Sequence, residues 1–296
     1  MRIVVTGKKG QLAQSLLERA PLFEATVVVI SRPELDLADA RPAADLLAAA
    51  APDVIVSAAA YTVVDRAESE PALAHAVNGG GARMLAEAAA ALGVPVIHIS
   101  TDYVFDGSKP GLWTEEDTPA PVSVYGASKL AGEQAVLAAS SGNIVVRIGW
   151  VYSPFGSNFA KTILRLAGER DVLRVVSDQT GGPSSALDIA DGLLTMARNV
   201  CTAPDRADLR GVFHMAPPEP ATWAEFAGEI CAWLAAKRGR HVTVEPITTA
   251  DYPTAARRPA NSCLDARRLA LHHGFRMAPW RTSLPPVLER LASIPI

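Results

Sequence analysis

Two residues that could carry out proton chemistry, Tyr125 and Lys129, lie four positions apart in the run Tyr-Gly-Ala-Ser-Lys. Side chains at that spacing share one face of a helix. Because a neighbouring ammonium stabilises a phenolate, we expect Lys129 to lower the pKa of Tyr125 from its usual value of about 10. Tyr125 could then protonate a carbonyl oxygen as a hydride reaches the carbonyl carbon, and Lys129 could hold a ribose. An ordinary pair on a surface helix has the same spacing and stays open as the alternative.

Further polar groups are expected at the end of an apolar strand. The run Ile-His-Ile-Ser-Thr-Asp over residues 97–102 changes from apolar side chains to hydroxyls and a carboxylate. In a parallel sheet, ligands bind beyond the carboxyl ends of the strands. Thr101 or Ser100 could therefore hydrogen-bond a substrate oxygen beside Tyr125.

The glycines after the first strand are typical of a nucleotide-binding turn. Gly7 and Gly10 stand in Gly-Lys-Lys-Gly-Gln-Leu-Ala, which opens a helix. Glycines let the backbone approach a pyrophosphate, and the helix N-terminus offers free N–H groups. An ordinary tight turn would also use glycine. The position directly after the first strand favours a dinucleotide.

The end of the second strand indicates which dinucleotide is bound. Ser31 and Arg32 stand where NAD-selective sites usually carry an acid, and a hydroxyl with a guanidinium suits a 2′-phosphate instead. We therefore expect NADPH as the cofactor, with NADH as the alternative. A solvated surface arginine is the other explanation of Arg32. Asp36 and Leu37 could seat the adenine, or Asp36 could cap a helix that begins near Ala38.

The elements that must hold these residues alternate along the first half of the chain. Continuously apolar runs suit strands that are buried on both faces, and they lie at Ile3–Val5, Val27–Ile30, Val54–Val56, Val94–Ile99 and Ile144–Ile148. Ala- and Leu-rich stretches at helical spacing lie between them, at Gln11–Ala20, Pro42–Ala50, Ala72–Leu92 and Tyr125–Ala139. This alternation predicts an α/β fold with a doubly wound parallel sheet of the Rossmann type.

The regularity loosens after Trp150. Helices are expected at Phe159–Ala167 and Trp223–Lys237, and strands near Leu173–Val176 and Val212–His214. We expect residues 1–150 to form a dinucleotide-binding domain. Residues 151–296 would form mainly a smaller C-terminal substrate-binding α/β region, with later segments returning to the first domain.

The composition narrows the class of protein. The 296 residues include 49% hydrophobic and 20% charged residues, with a formal net charge of −3, so neither nucleic acid nor a membrane surface is an expected partner. The three cysteines are far apart and the chain start lacks the pattern of a signal peptide, so a cytoplasmic location is expected. The six histidines form no ligand-spaced cluster, so no metal site is expected, and His98 is most simply explained as a core residue.

Taken together, the motifs resemble a known enzyme family. Thr101, Tyr125 and Lys129, in this order, are similar to the triad of extended short-chain dehydrogenases/reductases. Further runs resemble the dTDP-4-dehydrorhamnose reductase family, and they lie at residues 58–68, 100–107, 125–133, 147–152, 158–159, 178–181 and 258–262. With the glycine turn, the resemblance spans residue 7 to about residue 265, which is nearly the whole chain.

The resemblance implies a role for each matching position. Thr101, Tyr125 and Lys129 would be catalytic. The residues that would touch the dinucleotide, besides Gly7, Ser31 and Arg32 from the motifs above, are Lys9, Gly10, Gln11, Asp36, Leu37, Ala60, Tyr61, Thr62, Tyr125 and Lys129. The residues that would line the sugar pocket are Val64, Thr101, Asp102 and Trp150, and those that could reach the substrate diphosphate are Asn158 and Arg258. Core packing is the alternative for Trp150, and a surface salt bridge is the alternative for Arg258.

The resemblance also implies the reaction, which is NADPH-dependent reduction of the C4 keto group of dTDP-4-dehydro-L-rhamnose. A nucleotide sugar is thus the expected partner, and a homodimer is the candidate assembly. Two rivals stay open, namely another extended short-chain enzyme such as an epimerase or dehydratase, and an NADP-binding regulator like the regulatory subunit of methionine adenosyltransferase. Dehydratases of this superfamily carry Glu after Thr-Asp, where this chain has Tyr103. The chain also departs from the reductase family that it resembles: Ser57 stands where that family usually has Asn.

Overall fold

A six-stranded parallel sheet forms the centre of the computed structural model, which describes residues 1–39 and 43–292. The strands are β1 (Arg2–Thr6), β2 (Thr26–Ile30), β3 (Val54–Ser57), β4 (Val96–Thr101), β5 (Ile144–Ile148), β6 (Val151–Tyr152), β7 (Val172–Val176), β8 (Thr180–Gly181), β9 (Ser184–Ser185), β10 (Gly211–His214), β11 (Ala221–Thr222) and β12 (Thr243–Ile247). The central sheet has the order β10-β5-β4-β3-β1-β2. Strand β1 has β2 on one side and β3 on the other, so the strand order changes direction at β1. A crevice is expected at such a point, beyond the carboxyl ends of the strands.

The central strands are apolar along their whole length because both faces of the sheet are covered. Along β1, Ile3 and Val5 pack into one core while Val4 packs into the other. Every residue of β4 and β5 is buried. The runs of apolar residues in the sequence therefore predicted both the strands and their burial, and the Rossmann-type sheet is confirmed.

Helices cover the two faces of the sheet. The helices are α1 (Gln11–Arg19), α2 (Ala44–Ala50), α3 (Val64–Ala67), α4 (Pro71–His75), α5 (Gly81–Ala91), α6 (Val124–Ala139), α7 (Phe159–Glu169), α8 (Ala186–Thr202), α9 (Trp223–Arg238), α10 (Arg267–His273) and α11 (Trp280–Ala292). Helices α1 and α8 pack on one face, and α2, α5 and α6 pack on the other. Within residues 1–39 and 43–292, the structure has no helix that combines the length and the apolar character needed to cross a membrane.

Two helix predictions need adjustment. The helix expected at Ala72–Leu92 is α4 and α5 joined by a π-helical turn at Ala76–Gly80. The helix start weighed at Ala38 is not found there, because Ala38 and Asp39 lie in a turn in which Asp36 Oδ1 accepts a hydrogen bond of 3.0 Å from the Ala38 backbone N–H. Helix α2 begins at Ala44, and Pro42, the expected start of that stretch, lies outside the described residues.

The second half of the chain builds a separate core and also returns to the first. Helices α7, α9 and α11 enclose the second core together with the parallel pair β7 and β12. Strand β10 extends the central sheet beside β5, and α8 packs against α1. The short pairs β6·β9 and β8·β11 lie between these segments.

Glycines let α6 approach its neighbours closely. A Cβ at Gly126 would overlap the carbonyl oxygen of Tyr103, and a Cβ at Gly132 would overlap the carbonyl oxygen of Asn78. Both carbonyls are backbone groups that cannot move aside cheaply. The helix that carries Tyr125 and Lys129 therefore sits at a depth that only glycine permits.

We predict that Gly132→Ala destabilises the protein by about 1–3 kcal/mol, the usual cost of overpacking a tight contact. Gly168→Ala is the matched control, because Gly168 is an exposed residue of α7 with open space where the Cβ would lie. The control should raise stability by about 0.5–1 kcal/mol, since alanine favours a helix over glycine. Urea unfolding of both variants measures the difference, and equal effects would contradict the close approach of α6.

Candidate active site

A cavity of about 710 Å³ opens at the carboxyl ends of β1, β3, β4 and β5. The glycine turn after β1 and Trp150 both line it. Thr101, Tyr125 and Lys129 line the same cavity. The crevice at the reversal of the sheet is thus large enough for an extended ligand.

The turn at residues 7–10 is shaped for close approach of a ligand. Gly7 has a φ of +91°, and a Cβ there would lie 3.2 Å from the Cβ of Ala59. Gly10 begins α1 with open space above it. Thr6 Oγ1 accepts hydrogen bonds of 3.0 Å from the backbone N–H groups of Ala58 and Ala59, which ties the ends of β1 and β3 together. Backbone N–H groups at a helix start suit a phosphate group.

The first turn of α6 places Tyr125 in the cavity. Ser123 caps the helix by accepting a hydrogen bond of 3.2 Å from the N–H of Gly126. Glu68 accepts one of 2.9 Å from the N–H of Val124. The ring of Tyr125 meets that of Tyr103 edge to face, with the ring centroids 6.2 Å apart. The start of α6 is therefore held by two backbone hydrogen bonds, and the ring of Tyr125 is placed against that of Tyr103.

The direction of the Tyr125 pKa corrects the sequence-based expectation. Burial raises the pKa of Tyr125 to about 12, because the buried phenolate would lose its hydration. The prediction that Lys129 lowers the pKa of Tyr125 is therefore wrong. A phenol with a raised pKa keeps its proton at neutral pH, which suits a proton donor.

Lys129 is 2% exposed and anchored to β4. Its ammonium donates a hydrogen bond of 2.7 Å to the carbonyl oxygen of Ile99 and lies 3.3 Å from His98 Nε2. Burial lowers the pKa of Lys129 to about 8. The side chain of Lys129 is therefore charged at neutral pH, although its pKa lies only slightly above that pH.

Thr101 and Asp102 form a linked pair at the end of β4. The hydroxyl of Thr101 donates to Asp102 Oδ1 at 3.0 Å and accepts a hydrogen bond of 3.2 Å from the N–H of Tyr103. The other oxygen, Asp102 Oδ2, is buried without a hydrogen-bond partner among the described residues. Burial raises the pKa of Asp102 to about 6. A buried acceptor without a partner at a cavity fits a ligand that carries hydroxyl groups.

Behind the cavity, a buried ion pair holds α6 on the sheet. Arg147 Nη2 lies 2.7 Å from Glu133 Oε2, and both side chains are no more than 4% exposed. Ser100 donates a short hydrogen bond to the same carboxylate. Glu133 stands four residues after Lys129, as Lys129 stands four after Tyr125, so one face of α6 carries all three.

Two stacked tryptophans form part of the cavity wall. The rings of Trp150 and Trp223 are 3.4 Å apart between centroids and 2° from parallel. Trp150 has a φ of +49°, which is uncommon for a residue with a side chain and occurs where function or packing requires it. A Cβ at Gly181 would overlap its indole. The tryptophan pair is therefore fixed from several elements.

Comparison with known proteins identifies the family. The family described as "RmlD substrate binding domain" matches residues 1–293. A dTDP-4-dehydrorhamnose reductase of Sinorhizobium fredii is 50% identical over 283 residues, which cover 96% of this chain and 95% of that protein. The chain belongs to this family. The resemblance that the motifs indicated is confirmed.

Solved structures of the family agree with the fold. A dTDP-4-dehydrorhamnose reductase of Clostridium acetobutylicum has a TM-score of 0.88 and 34% identity, covering 99% of this chain and 100% of that chain. One from Bacillus anthracis, solved in complex with NADP, has a TM-score of 0.87 and 34% identity, covering 99% and 98%. The similarity therefore extends over both cores of the molecule.

The structure brings most of the predicted site residues of this family together in the cavity. The lining includes Gly7, Lys9, Gly10, Gln11, Arg32, Ala60, Thr62, Val64, Thr101, Asp102, Tyr125, Lys129 and Trp150. The predicted residues that the structure describes but that lie outside this lining are Ser31, Asp36, Leu37, Tyr61, Asn158 and Arg258.

Several of the residues outside the lining already have structural partners. Tyr61 donates its hydroxyl hydrogen to Glu70 at 2.7 Å, and Leu37 packs into a core. Arg258 Nη2 lies 2.7 Å from Asp65 Oδ2, which is the salt bridge weighed as its alternative. Asn158 caps α7 by accepting a hydrogen bond from the Lys161 N–H. Their roles toward a ligand stay predictions.

Sequence reasoning missed Trp223 and the Gly156–Ser157 loop, which also line the cavity. Trp223 is the first residue of α9, more than 70 positions after Trp150. Only the fold brings these two rings together. The loop carries a weak signal, since Gly156 has a φ of +57° and a glycine soon after the sheet often marks a site loop.

We predict that Tyr125→Phe keeps NADPH binding and loses turnover by about 10²–10⁴-fold, the usual contribution of a general acid. Tyr252→Phe is the matched control, because Tyr252 is 61% exposed and lies outside the cavity lining among the described residues. Steady-state rates and NADPH fluorescence titrations measure the two effects. Near-normal turnover of Tyr125→Phe would remove Tyr125 from the proton transfer.

Proposed function

We propose that the protein reduces the C4 keto group of dTDP-4-dehydro-L-rhamnose to give dTDP-L-rhamnose, in the synthesis of precursors for cell-envelope polysaccharide. The observation that carries the proposal is the meeting of Thr101, Tyr125 and Lys129 in one cavity with the glycine turn of β1. The family membership of nearly the whole chain supports the same reaction.

The residues present fit NADPH as the cofactor. The Gly7–Gly10 turn offers a close approach and the start of α1 for the pyrophosphate, and Arg32 lines the same end of the cavity for the 2′-phosphate. Lys129 would hold the nicotinamide ribose. Bound NADPH would supply the hydride to the substrate carbon.

The protein's own part in the chemistry is the supply of a proton and the alignment of the sugar. The phenol of Tyr125 is protonated at neutral pH because burial raises its pKa to about 12. A carbonyl oxygen becomes strongly basic as its carbon is reduced, so it can take the proton from Tyr125.

Thr101 and Asp102 would orient the substrate. The hydrogen of the Thr101 hydroxyl is engaged by Asp102 Oδ1, so the oxygen of Thr101 faces its other neighbours as an acceptor. Asp102 Oδ2 can accept a hydrogen bond from a sugar hydroxyl, which would satisfy a buried oxygen that has no partner among the described residues. Trp150 offers a fixed apolar surface beside them.

The nature of residue 103 argues against the dehydratase rival. Expulsion of water from C5–C6 needs an acid and a base, and the dehydratases of this superfamily carry Glu after Thr-Asp. Here Tyr103 follows Asp102, and burial raises its pKa well above the usual range of a phenol. Tyr103 therefore stays protonated and cannot replace a carboxylate base. The complete triad argues against a regulator without turnover.

We propose the division into a dinucleotide-binding domain of residues 1–150 with returning segments, and a substrate-binding region in residues 151–296. The return of β10 to the central sheet supports it. The homodimer and the cytoplasmic location stay predictions.

We expect one NADPH to be oxidised for each dTDP-4-dehydrorhamnose consumed, and no 4-keto product from dTDP-glucose. Absorbance at the nicotinamide band with product identification by NMR measures both. Tight NADPH binding without oxidation across several 4-keto sugar nucleotides would favour the regulator. Dehydration of dTDP-glucose would favour the dehydratase.

A further inference from the structure

A chain of three buried polar side chains runs from the central sheet to the active site. Ser57 on β3, His98 on β4 and Lys129 on α6 are 2%, 1% and 2% exposed. His98 Nδ1 lies 3.1 Å from Ser57 Oγ, and His98 Nε2 lies 3.3 Å from Lys129 Nζ. The imidazole thus bridges the sheet and the catalytic lysine within the protein interior.

The chemistry of the partners fixes where the imidazole carries its proton. A lysine ammonium has three hydrogens to donate and no lone pair, so His98 Nε2 must be the acceptor. The proton of the neutral ring then lies on Nδ1 and is donated to Ser57. Burial, with the adjacent ammonium, holds the pKa of His98 well below its usual value, so the ring stays neutral.

The hydrogen bonds of the ammonium determine which of its hydrogens remains for a ligand. One hydrogen goes to the carbonyl oxygen of Ile99 at 2.7 Å, and one goes to His98. The third is left for the cavity, which Lys129 lines. An ammonium with only one anchor could rotate and point any of its hydrogens elsewhere.

We propose that His98, whose proton is fixed on Nδ1 because Nε2 accepts from the Lys129 ammonium, is a positioning residue that aims the free hydrogen of that ammonium into the active-site cavity. The inference rests on the proposed function for its kinetic consequences but not for the proton position. In this chain the outer end of the bridge is Ser57, which stands where the family usually has Asn. The Ser57 hydroxyl lies 3.1 Å from Nδ1 and can accept the proton that Nδ1 carries.

The charges around Lys129 come from several elements. Glu133 on the same helix raises the pKa of Lys129, and Glu133 is itself bound to Arg147 of β5. The ionisable groups on the other elements that pack against α6 and β4 are Asp65, Arg66, His75, Arg83, Glu87, Asp102 and Tyr103, with Tyr125 on α6 itself. Since a hydrogen-bond acceptor favours the charged form, loss of His98 should lower the pKa of Lys129 further from its value of about 8.

A pair of variants separates the two ends of the imidazole. Gln is one carbon longer than Asn, so His98→Gln can place an amide oxygen where Nε2 lies, whereas His98→Asn reaches only the position of Nδ1. We expect His98→Asn to lower kcat by about 10- to 100-fold, the range for one hydrogen bond to a charged group, and to shift the alkaline limb of the pH profile to lower pH. In His98→Gln, kcat and the position of the alkaline limb of the pH profile should stay close to those of the wild type.

Equal losses in the two variants, or an alkaline limb that does not move in His98→Asn, would overturn the proposal. Unfolding midpoints and NADPH titrations of both variants separate a positioning effect from a loss of structure. The wild-type assay separates the two proposals, since a wild type that oxidises no NADPH overturns the proposed function alone.

The proton position is read without substrate or cofactor. Nitrogen-15 NMR of the histidine-labelled protein, with the His98 signals assigned by difference from His98→Gln, should show a neutral ring with the proton on Nδ1. A proton on Nε2, or a charged ring at neutral pH, would overturn the proposal whatever the kinetic results. This measurement decides the matter even if His98→Asn does not fold.

Discussion

The buried ion pair between Glu133 and Arg147 is the interaction on which the active site depends. It joins α6 to β5 at a distance of 2.7 Å, and Ser100 adds a hydrogen bond from β4. Removing one partner of such a pair leaves an uncompensated buried charge, at a cost of about 3–5 kcal/mol. Because Tyr125 and Lys129 occupy the same face of α6, the ion pair fixes the height and rotation of both relative to the strand ends.

The same helix face carries three groups whose burial suits their chemistry. Glu133 is buried and ion-paired with Arg147, Lys129 is buried with a pKa lowered to about 8, and Tyr125 lines the cavity with its pKa raised to about 12. Burial thus acts in opposite directions on the two titrating groups, because it disfavours whichever form is charged. At neutral pH, Tyr125 is therefore protonated and can donate its proton, and Lys129 is charged.

The start of α1 and the segment after Trp150 are also connected directly. Gln11, in the first turn of α1, accepts hydrogen bonds from Ser153 Oγ at 2.8 Å and Asn158 Nδ2 at 3.0 Å. Its amide donates to the carbonyl oxygen of Val151 at 3.3 Å. The dinucleotide turn and the loop after Trp150 are therefore held together by one side chain, which accounts for the fixed shape of the crevice.

The sequence predicted the features that depend on local pattern. Continuous apolar runs predicted the strands of the central sheet, and the Tyr125–Lys129 spacing predicted a shared helix face. What depended on burial or on distant contacts was not predictable, as with the pKa of Tyr125, the ion pair of Arg258 with Asp65, and the stacking of Trp223 on Trp150. In each case the deciding partner is far away in the chain or is the protein interior itself.

Transfer of a labelled hydride is the most direct measurement of the central claim, which is reduction at C4 by hydride from NADPH. The enzyme would be supplied with NADPH that carries deuterium at both hydrogen positions of the nicotinamide C4 and with dTDP-4-dehydrorhamnose, and the product examined by proton and deuterium NMR. The account predicts deuterium bonded to C4 of the sugar, and a C4 hydroxyl that exchanges with solvent. A product without deuterium at C4 would contradict it.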